Sequence, residues 1–392
     1  MPRIPTSLIR KARAIDAFLP ALLAPCRDLQ AAQNELRWLR EHVDKVAKRD
    51  RLAKGALLRQ LVRERASGKP LQYILGTEYF GDLEIQCKPG VLIPRPDTAA
   101  SVTHLVNLLR RSQNLPSELH LLDLCTGTGC IPLLFQHELL SARKDIDLRL
   151  LGVDISKKAL DLAQSNLQRL VKSQPFGKRA QTSFVQADVL IDPSADQSGK
   201  ILPLRAALNY ALQPAQWDIL ISNPPYVSPS AFWKTTTRSV RAFEPKLALV
   251  PPSRAKYTDT QQGDMFYPHL LQIARDVEAK VVLLEVADME QALRVASTAR
   301  HLHLFDGIEI WKEDPTAAST VMTKDEFDII GEGNARSVVC WRGRGTSWLG
   351  KSATDTATPT AEADSLSWNS PKVDTHHLEP QFIKSVASGE GR

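Results

Sequence analysis

The chain of 392 residues contains no apolar run approaching the ~20 residues that a helical membrane span requires, so no such span is expected. It has only five cysteines, Cys26, Cys87, Cys125, Cys130 and Cys340, an odd number without Cys-x-x-Cys spacing. That pattern sets aside a disulfide framework and a zinc site, and it fits a reducing compartment. No metal-ligand set is expected elsewhere, because His301 and His303 lack partners at ligand spacing and read as solvent or core histidines. Acid is missing from the front of the chain: nothing acidic precedes Asp16, whereas Arg3, Arg10, Lys11 and Arg13 are interleaved with Ile4, Leu8, Ile9 and Ile15. A basic amphipathic stretch of this kind opens mitochondrial presequences, and a basic first helix of a folded domain reads the same way.

The basic surplus continues inward. Residues 1–70 hold sixteen Lys/Arg against seven Asp/Glu, a surplus of nine in a chain whose net charge is +6, so the remainder stands at −3. Such a front could meet nucleic acid, a ribosome-associated partner or an acidic protein face, or it could be no more than solvated helix faces. With 43% apolar and 24% charged residues, the composition is that of a globular protein long enough for two domains.

From about 14 to 69, apolar residues recur at helical spacing, as in Leu36, Leu39, Val43 and Val46 and then Leu57, Leu58, Leu61 and Val62, which predicts a small helical bundle. Pro70 to Gly76 and the alternation Tyr79 to Ile85 read as a short β-hairpin linker. Arg95 then lies between Pro94 and Pro96 in an extended segment, and a helix is expected from about Ala99 to Arg111. Leu119 to Leu124 is a short apolar strand leading into Asp123-Leu124-Cys125-Thr126-Gly127-Thr128-Gly129, with a helix from Ile131 to Leu140. Strand, glycine turn and helix open a nucleotide-type βαβ unit, in which glycines let the backbone approach a ligand closely. Pro132 stands where the dinucleotide fingerprint needs its third glycine, which weakens a pyrophosphate reading.

The next strand, Leu148 to Val153, ends in Asp154, placed to take two ribose hydroxyls, and Ser156 can cap the helix that follows. Phe184 to Ala187 repeats the pattern and ends in Asp188, where an adenine amino group could be read. A fourth strand, Trp217 to Ser222, delivers Asn223-Pro224-Pro225-Tyr226. The Asn223 side-chain oxygen and the Pro224 carbonyl can each accept one N–H of a planar NH2 group, which takes its lone pair out of conjugation and aims it at an electrophile. The prolines fix φ and carry no competing N–H, and Tyr226 can stack on the flat group. Taken alone, the four residues are equally an Asn-Pro turn after a strand. Four strands thus bring Asp123, Gly127, Gly129, Asp154, Asp188 and Asn223 to one edge, where ligands bind in open α/β sheets.

Residues 173–182, 192–214 and 251–262 read as surface loops. Beyond them come a helix from about Met265 to Val277, a strand Val281 to Val286, a helix from about Met289 to Arg300 and late strands near Leu302–Ile310 and Ser337–Trp341. The tail from about Gly345, rich in Ser, Thr, Asp and Ala, is expected to be disordered.

Asp123-x-x-x-Gly127-x-Gly129, Asp154, Asp188 and Asn223 to Tyr226 together resemble the class I S-adenosylmethionine-dependent methyltransferases that modify an exocyclic or amide nitrogen. Tyr73 to Gly76, Leu92 to Thr98, the run from Leu122 to Gly129, Phe243-Glu244-Pro245 and Leu247-Ala248-Leu249 narrow the resemblance to the HemK/PrmC family over roughly residues 30 to 343. That family methylates the glutamine side-chain nitrogen of the Gly-Gly-Gln motif in class I peptide chain release factors.

The resemblance implies an α/β fold with a Rossmann-like seven-stranded sheet, a reversed last strand and S-adenosyl-L-methionine at the carboxyl edge. It also implies a helical amino-terminal domain that grips the release factor. The corresponding segments are 1–69 for that domain, with a candidate targeting segment over 1–15, then 70–98 for the hairpin linker, 99–343 for the methyltransferase domain and 344–392 for the tail. The matching cofactor positions are Asp123, Cys125, Thr126, Gly127, Thr128, Gly129, Asp154, Asp188, Val189 and Asn223, and the catalytic positions are Asn223, Pro224, Pro225 and Tyr226.

The chain departs from the family pattern at Cys125, where a first glycine is usual, in the extra residues 251–262, and at Glu278-Ala279-Lys280, which replaces Pro-Gly-Gly. Three readings stand at this point. The first is glutamine N5-methylation of a release factor by a monomer, mitochondrial or else cytoplasmic, with no stable nucleic acid or membrane partner. The second is amino methylation of adenine N6 or cytosine N4 in DNA or RNA, which would require the base to be flipped out. The third is a cofactor-binding scaffold.

Overall fold

The computed structural model describes residues 3–47, 51–173, 179–191, 201–317 and 321–351. The amino-terminal helices are α1 (Thr6–Ile15), α2 (Leu19–Cys26), α3 (Leu29–Val46), α4 (Arg51–Ala66) and α5 (Leu71–Leu75). In α3, Asp28 caps the first turn by accepting from the Ala31 N–H at 2.7 Å, and Ala32, Leu36, Leu39 and Val43 form the buried stripe that the spacing predicts. Ala12 of α1 is fully buried in the same bundle, with Ile4, Leu8 and Ile9 packed against it. Three of the four apolar residues of the basic amphipathic stretch therefore have a place in the fold, whereas Ile15 is exposed. Arg65 meets Glu35 with a two-pronged contact of 2.7 and 2.9 Å, which fixes α4 against α3.

The linker is only partly the expected hairpin. Leu71–Leu75 is a helical turn ended by Gly76 in the left-handed region, and the hairpin is β1 (Thr77–Phe80) against β2 (Leu83–Gln86). A run of five residues, four of them apolar, does not itself distinguish a strand from a helical turn.

Helix α6 (Pro96–Leu109) leads into the main sheet. Its elements in chain order are β3 (Glu118–Leu124), α7 (Cys130–Ala142), β4 (Asp147–Asp154), α8 (Lys157–Ser173), β5 (Ala180–Gln186), α9 (Leu204–Tyr210), β6 (Ile219–Ser222), α10 (Pro229–Lys234), α11 (Arg238–Phe243), α12 (Asp259–Gly263), α13 (Phe266–Asp276), β7 (Val281–Glu285) and α14 (Met289–His301). The last are β8 (Gly307–Asp314), β9 (Met322–Lys324), β10 (Phe327–Ile330), β11 (Glu332–Trp341) and α15 (Arg344–Trp348).

Among the described residues the sheet has nine strands in the order β5-β4-β3-β6-β7-β11-β8-β10-β9. The five strands from β5 to β7 are mutually parallel, and β11 runs antiparallel to both β7 and β8. The first seven strands of that order, with one reversed strand between two that run the other way, are the class I methyltransferase sheet. Strands β10 and β9 extend the expected seven at the β8 edge, β10 parallel to β8 and β9 antiparallel to β10.

Both faces of the sheet are covered, as parallel strands require. Leu119 and Leu121 of β3 face one core with α6 and α7, whereas Leu122 and Leu124 face the other with α9, α13 and α14. Three segments read as loops or tail carry regular structure, and two of them are built into these cores. Leu204, Ala207 and Leu208 of α9 are buried beneath the sheet, although 192–214 was expected to be a surface loop, and residues 192–200 of that stretch lie outside the described residues. Part of the 251–262 stretch forms α12, whose Thr258 and Gln261 make a reciprocal capping box. At the start of the stretch expected to be a disordered tail, Trp348 and Leu349 are buried, and the Trp348 indole N–H donates to the Asn114 carbonyl at 2.9 Å. The expected disorder beyond residue 351 lies outside the described residues. No helix of the described residues is long and apolar enough to cross a membrane.

Candidate active site

Strand β3 pairs with β4 on one side and β6 on the other, so chain order reverses there and a crevice opens at the carboxyl ends of β3 and β6. The Ser222 hydroxyl donates to the Leu124 carbonyl at 2.7 Å and clamps these two strand ends together. The loop after β3 starts from Cys125 at φ 64, a left-handed conformation in a residue other than glycine, and α7 begins after Gly129 at φ 76. That conformation costs a side-chain-bearing residue about 1–2 kcal/mol, which Cys125 bears where the family usually has glycine. At Gly127, φ 55, an added Cβ would meet nothing within 4 Å, because this turn faces open space. A Cβ on Gly129 would approach Ala163 and Phe184 to 3.0 Å, which explains glycine at the tight side of the loop.

Asp123 is fully buried, and neither of its carboxylate oxygens makes a hydrogen bond of normal geometry among the described residues. Burial pushes its pKa well above the ordinary value; the nearby Thr126 hydroxyl offsets part of that push and the Asp154 charge adds to it. The buried Thr126 and Thr128 hydroxyls are also without partners among the described residues. Asp154 accepts from the Gly127 N–H at 2.9 Å through one oxygen and from the Ser156 N–H at 2.8 Å through the other. Burial raises its pKa against these backbone bonds. Each Asp154 oxygen keeps a further lone pair. The structure thus brings Asp123, the 125–129 loop and Asp154 together.

Asp188 stands beyond the end of β5 and closes its own turn, accepting from the Leu190 N–H at 2.8 Å. Its charge reaches Cys125, whose thiol is held above its ordinary value chiefly by burial. Val189 is buried in the α9–α13 core, so its side chain supports the turn from below.

Asn223 follows β6 directly and is half-buried, as is Tyr226; Pro224 and Pro225 between them are buried. The Asn223 Nδ2 donates to the Thr98 hydroxyl oxygen at 3.1 Å, and its Oδ1 has no partner among the described residues. Nor does any described residue donate to the Pro224 carbonyl. The Tyr226 hydroxyl donates to Glu285 at 3.0 Å, and the Tyr226 carbonyl accepts from Gln291 Nε2 at 3.2 Å, so both ends of that residue are fixed.

Behind this loop, Glu244 takes the Ile93 N–H at 3.1 Å and the Arg95 guanidinium at 2.8 Å. The Leu92–Thr98 and Phe243–Pro245 segments, both singled out in the sequence, are therefore halves of one brace. Glu244→Ala is expected to lower stability by about 1.5–3 kcal/mol, the range for hydrogen bonds to a charged group, as read by denaturant unfolding.

Thr98 and Glu285 are the polar residues that sequence reasoning left without a role. Their signals were a hydroxyl closing the Leu92–Thr98 motif and a lone carboxylate ending the apolar strand Val281–Leu284.

The sequence has counterparts among known proteins. The chain is 36% identical over 254 residues to the mitochondrial MRF1 N(5)-glutamine methyltransferase MTQ1 of Saccharomyces cerevisiae, covering 64% of this chain and 68% of that protein. It is 33% identical over 275 residues to the protein of Schizosaccharomyces pombe named "Probable MRF1 mitochondrial N(5)-glutamine methyltransferase mtq1", covering 69% and 81%. The chain belongs to the release factor N5-glutamine methyltransferase family. A bacterial member, the release factor glutamine methyltransferase of Chlorobaculum tepidum, is 34% identical over 203 residues, 51% of this chain and 58% of that protein. No family model matches the chain.

Relatives in this family include both mitochondrial and bacterial proteins. The cofactor of the family's class I fold is S-adenosyl-L-methionine, and the residues present fit it. A buried carboxylate without donors, two unpartnered hydroxyls and an open glycine turn lie at the switch point of the sheet.

Proposed function

We propose that the chain methylates the side-chain amide nitrogen of the glutamine in the Gly-Gly-Gln motif of a class I peptide chain release factor, with Asn223, Pro224, Pro225 and Tyr226 forming the amide site. The observation that carries this assignment of residues is the free Asn223 Oδ1 beside the free Pro224 carbonyl, two acceptors on one rigid turn. Two acceptors match the two N–H groups of a primary amide. Holding both N–H groups turns the nitrogen lone pair out of conjugation, which is the main obstacle to an amide acting as a nucleophile. Tyr226, tied down through its hydroxyl and its carbonyl, offers its ring to the flat face of the substrate group.

When bound, S-adenosylmethionine supplies an electrophilic methyl group on a sulfonium sulfur. The chain's own contribution on that side is the Asp123 carboxylate as acceptor toward the positively charged end, and the Asp154 oxygens, with their remaining lone pairs, toward the ribose hydroxyls. We assign the 125–129 loop and Asp188 to the same crevice, with Val189 supporting the Asp188 turn from the core beneath it. The amide nitrogen loses its proton after methylation has made it acidic, so orientation and exclusion of water carry the rate rather than a general base.

We assign the helical segment 1–69 to gripping the release factor and 99–343 to methyl transfer. The site is built for an amino group of either a nucleobase or a glutamine, and family membership selects glutamine. We place the protein in mitochondria, a reading supported by the basic amphipathic start of the chain and by the two mitochondrial relatives.

The test is mass spectrometry of release-factor Gly-Gly-Gln peptides from mitochondria with and without the protein. One methyl group on the glutamine is expected only when it is present. Unmodified glutamine in both samples, with label from the cofactor appearing on nucleic acid, would refute the assignment.

A further inference from the structure

Glu285 ends β7, and the register that pairs Ser222 with Leu284 places it beside Asn223 at the end of β6. Its side chain is buried. One oxygen, Oε2, accepts from the Thr98 hydroxyl at 2.5 Å, and the other, Oε1, accepts from the Tyr226 hydroxyl at 3.0 Å. The small cavity bordered by Thr98, Asn223, Glu285 and Ser337 measures about 10 Å³, at the lower limit for one water molecule, so this carboxylate depends on protein donors.

Thr98 has a single hydroxyl proton, and it is committed to Glu285. Toward Asn223 the Thr98 oxygen can therefore only accept, and the Asn223 group that meets it at 3.1 Å must be the NH2 end. The two ends of an asparagine amide have nearly the same shape, so packing alone would admit either orientation. The polarity of the hydrogen-bond chain decides between them.

We propose that Glu285 and Thr98 are positioning residues for methyl transfer: the carboxylate orients the Thr98 hydroxyl, which holds the Asn223 amide with Oδ1 toward the substrate. The proposal rests on the assignment of Asn223 as acceptor of the substrate N–H. With the amide reversed, an NH2 group would face the incoming NH2, donor against donor, and the cup would repel the group it is built to hold. Tyr226 hangs from the same carboxylate, so one buried group orients both walls of the amide site.

The charges around Glu285 are consistent with this role. Asp97 comes from α6, Arg336 from β11, Tyr267 from α13, and Tyr226 and Arg95 from the flanking loops. Arg336 pairs with Asp97 at 3.0 Å and with Glu313 at 3.1 Å, and the Tyr267 hydroxyl donates to the Glu285 backbone carbonyl at 2.9 Å. Burial pushes Glu285 up to about 7, opposed by the Thr98 and Tyr226 hydroxyls and by Arg336. Below that pH the group becomes a carboxylic acid with a proton of its own to donate. Thr98 can then turn its proton to Asn223, and the amide loses its fixed orientation.

The test compares Thr98→Val, which keeps the shape and removes the hydroxyl, with Thr98→Ser, which keeps the hydroxyl, and with Glu285→Gln, all in the full chain. Turnover on a release factor, KM for that factor, cofactor affinity by calorimetry and thermal unfolding are measured for each. Thr98→Val and Glu285→Gln are expected to lower kcat about 10- to 100-fold, the effect of one mispaired polar group, with cofactor affinity changed less than about threefold. Thr98→Ser is expected to stay within about threefold of the parent kcat. The parent kcat is expected to rise with pH through about 7, and that rise should be absent in Glu285→Gln.

Parent-like kcat in Thr98→Val, beside an inactive Asn223→Ala, overturns the proposal and leaves the role of Asn223 standing. Full activity of Asn223→Ala overturns both. A parent profile that is flat from about pH 6 to 8 overturns the part assigned to Glu285 whether or not the variants fold.

Discussion

Asn223→Ala is expected to lower kcat about 10³-fold, equivalent to roughly 4 kcal/mol of transition-state stabilisation, while the cofactor dissociation constant changes by less than about tenfold. The size follows from what the residue is asked to do. An amide nitrogen held by one acceptor instead of two can rotate back into conjugation, and positioning effects of this kind account for several kcal/mol of a barrier. The small effect on cofactor binding follows from location. Asn223 follows β6, and its one side-chain hydrogen bond among the described residues goes to Thr98, whereas the orphaned acceptors of the crevice come from β3 and the loop after it. Steady-state kinetics on a release factor, paired with calorimetry of cofactor binding, measure the two effects separately. A variant that turns over at the parent rate, or one that loses both properties together, contradicts the assignment of Asn223 to the substrate side.

The site was legible in the sequence to the extent that it is made of strand ends. Asp123 is the next-to-last residue of β3, Asp154 ends β4 and Asn223 follows β6, and parallel β/α connections place successive strand ends on one edge. Residue type plus local pattern therefore located them. Thr98 and Glu285 were not legible in that way, because their partnership joins positions 187 residues apart and neither has a local pattern that points to the other.

The same distinction separates the expected fold elements from the missed ones. Helix α9 has seven residues, too few for periodicity to announce it, and it is held in place by Leu204, Ala207 and Leu208 beneath the sheet. Strands β9 and β10 have three and four residues and exist through pairing, β10 to β8 and β9 to β10, rather than through propensity of their own. Trp348 lies in the stretch whose composition reads as tail, and what orders it is a partner no local pattern shows, the Asn114 carbonyl 234 residues away in the chain.

Asp123→Asn is expected to weaken cofactor binding about 10²-fold while making the unliganded protein more stable at neutral pH. Both effects have one cause. The carboxylate is buried without a donor, so in the unliganded protein its pKa lies well above the ordinary value. A group whose pKa is raised on folding contributes stability that is fully present below its unfolded value and is lost as pH rises through the folded one. The unliganded parent should therefore lose stability as pH climbs from about 4, the ordinary carboxylate value, and the asparagine variant should not.

Binding reverses the preference, because a cation in the crevice favours the ionised carboxylate. Cofactor affinity in the parent should thus increase with pH until Asp123 ionises unaided. Calorimetry in buffers of different ionisation enthalpy should show proton release on binding below that point. The variant has no proton to release, and it loses a charge-assisted bond worth about 1.5–3 kcal/mol, the source of the expected 10²-fold change. Thermal unfolding across pH for both unliganded proteins, with calorimetry in two buffers, decides the matter. If the two stability profiles superimpose, Asp123 is not the strained acceptor that its burial implies. If proton release is identical in parent and variant, the proton comes from another group.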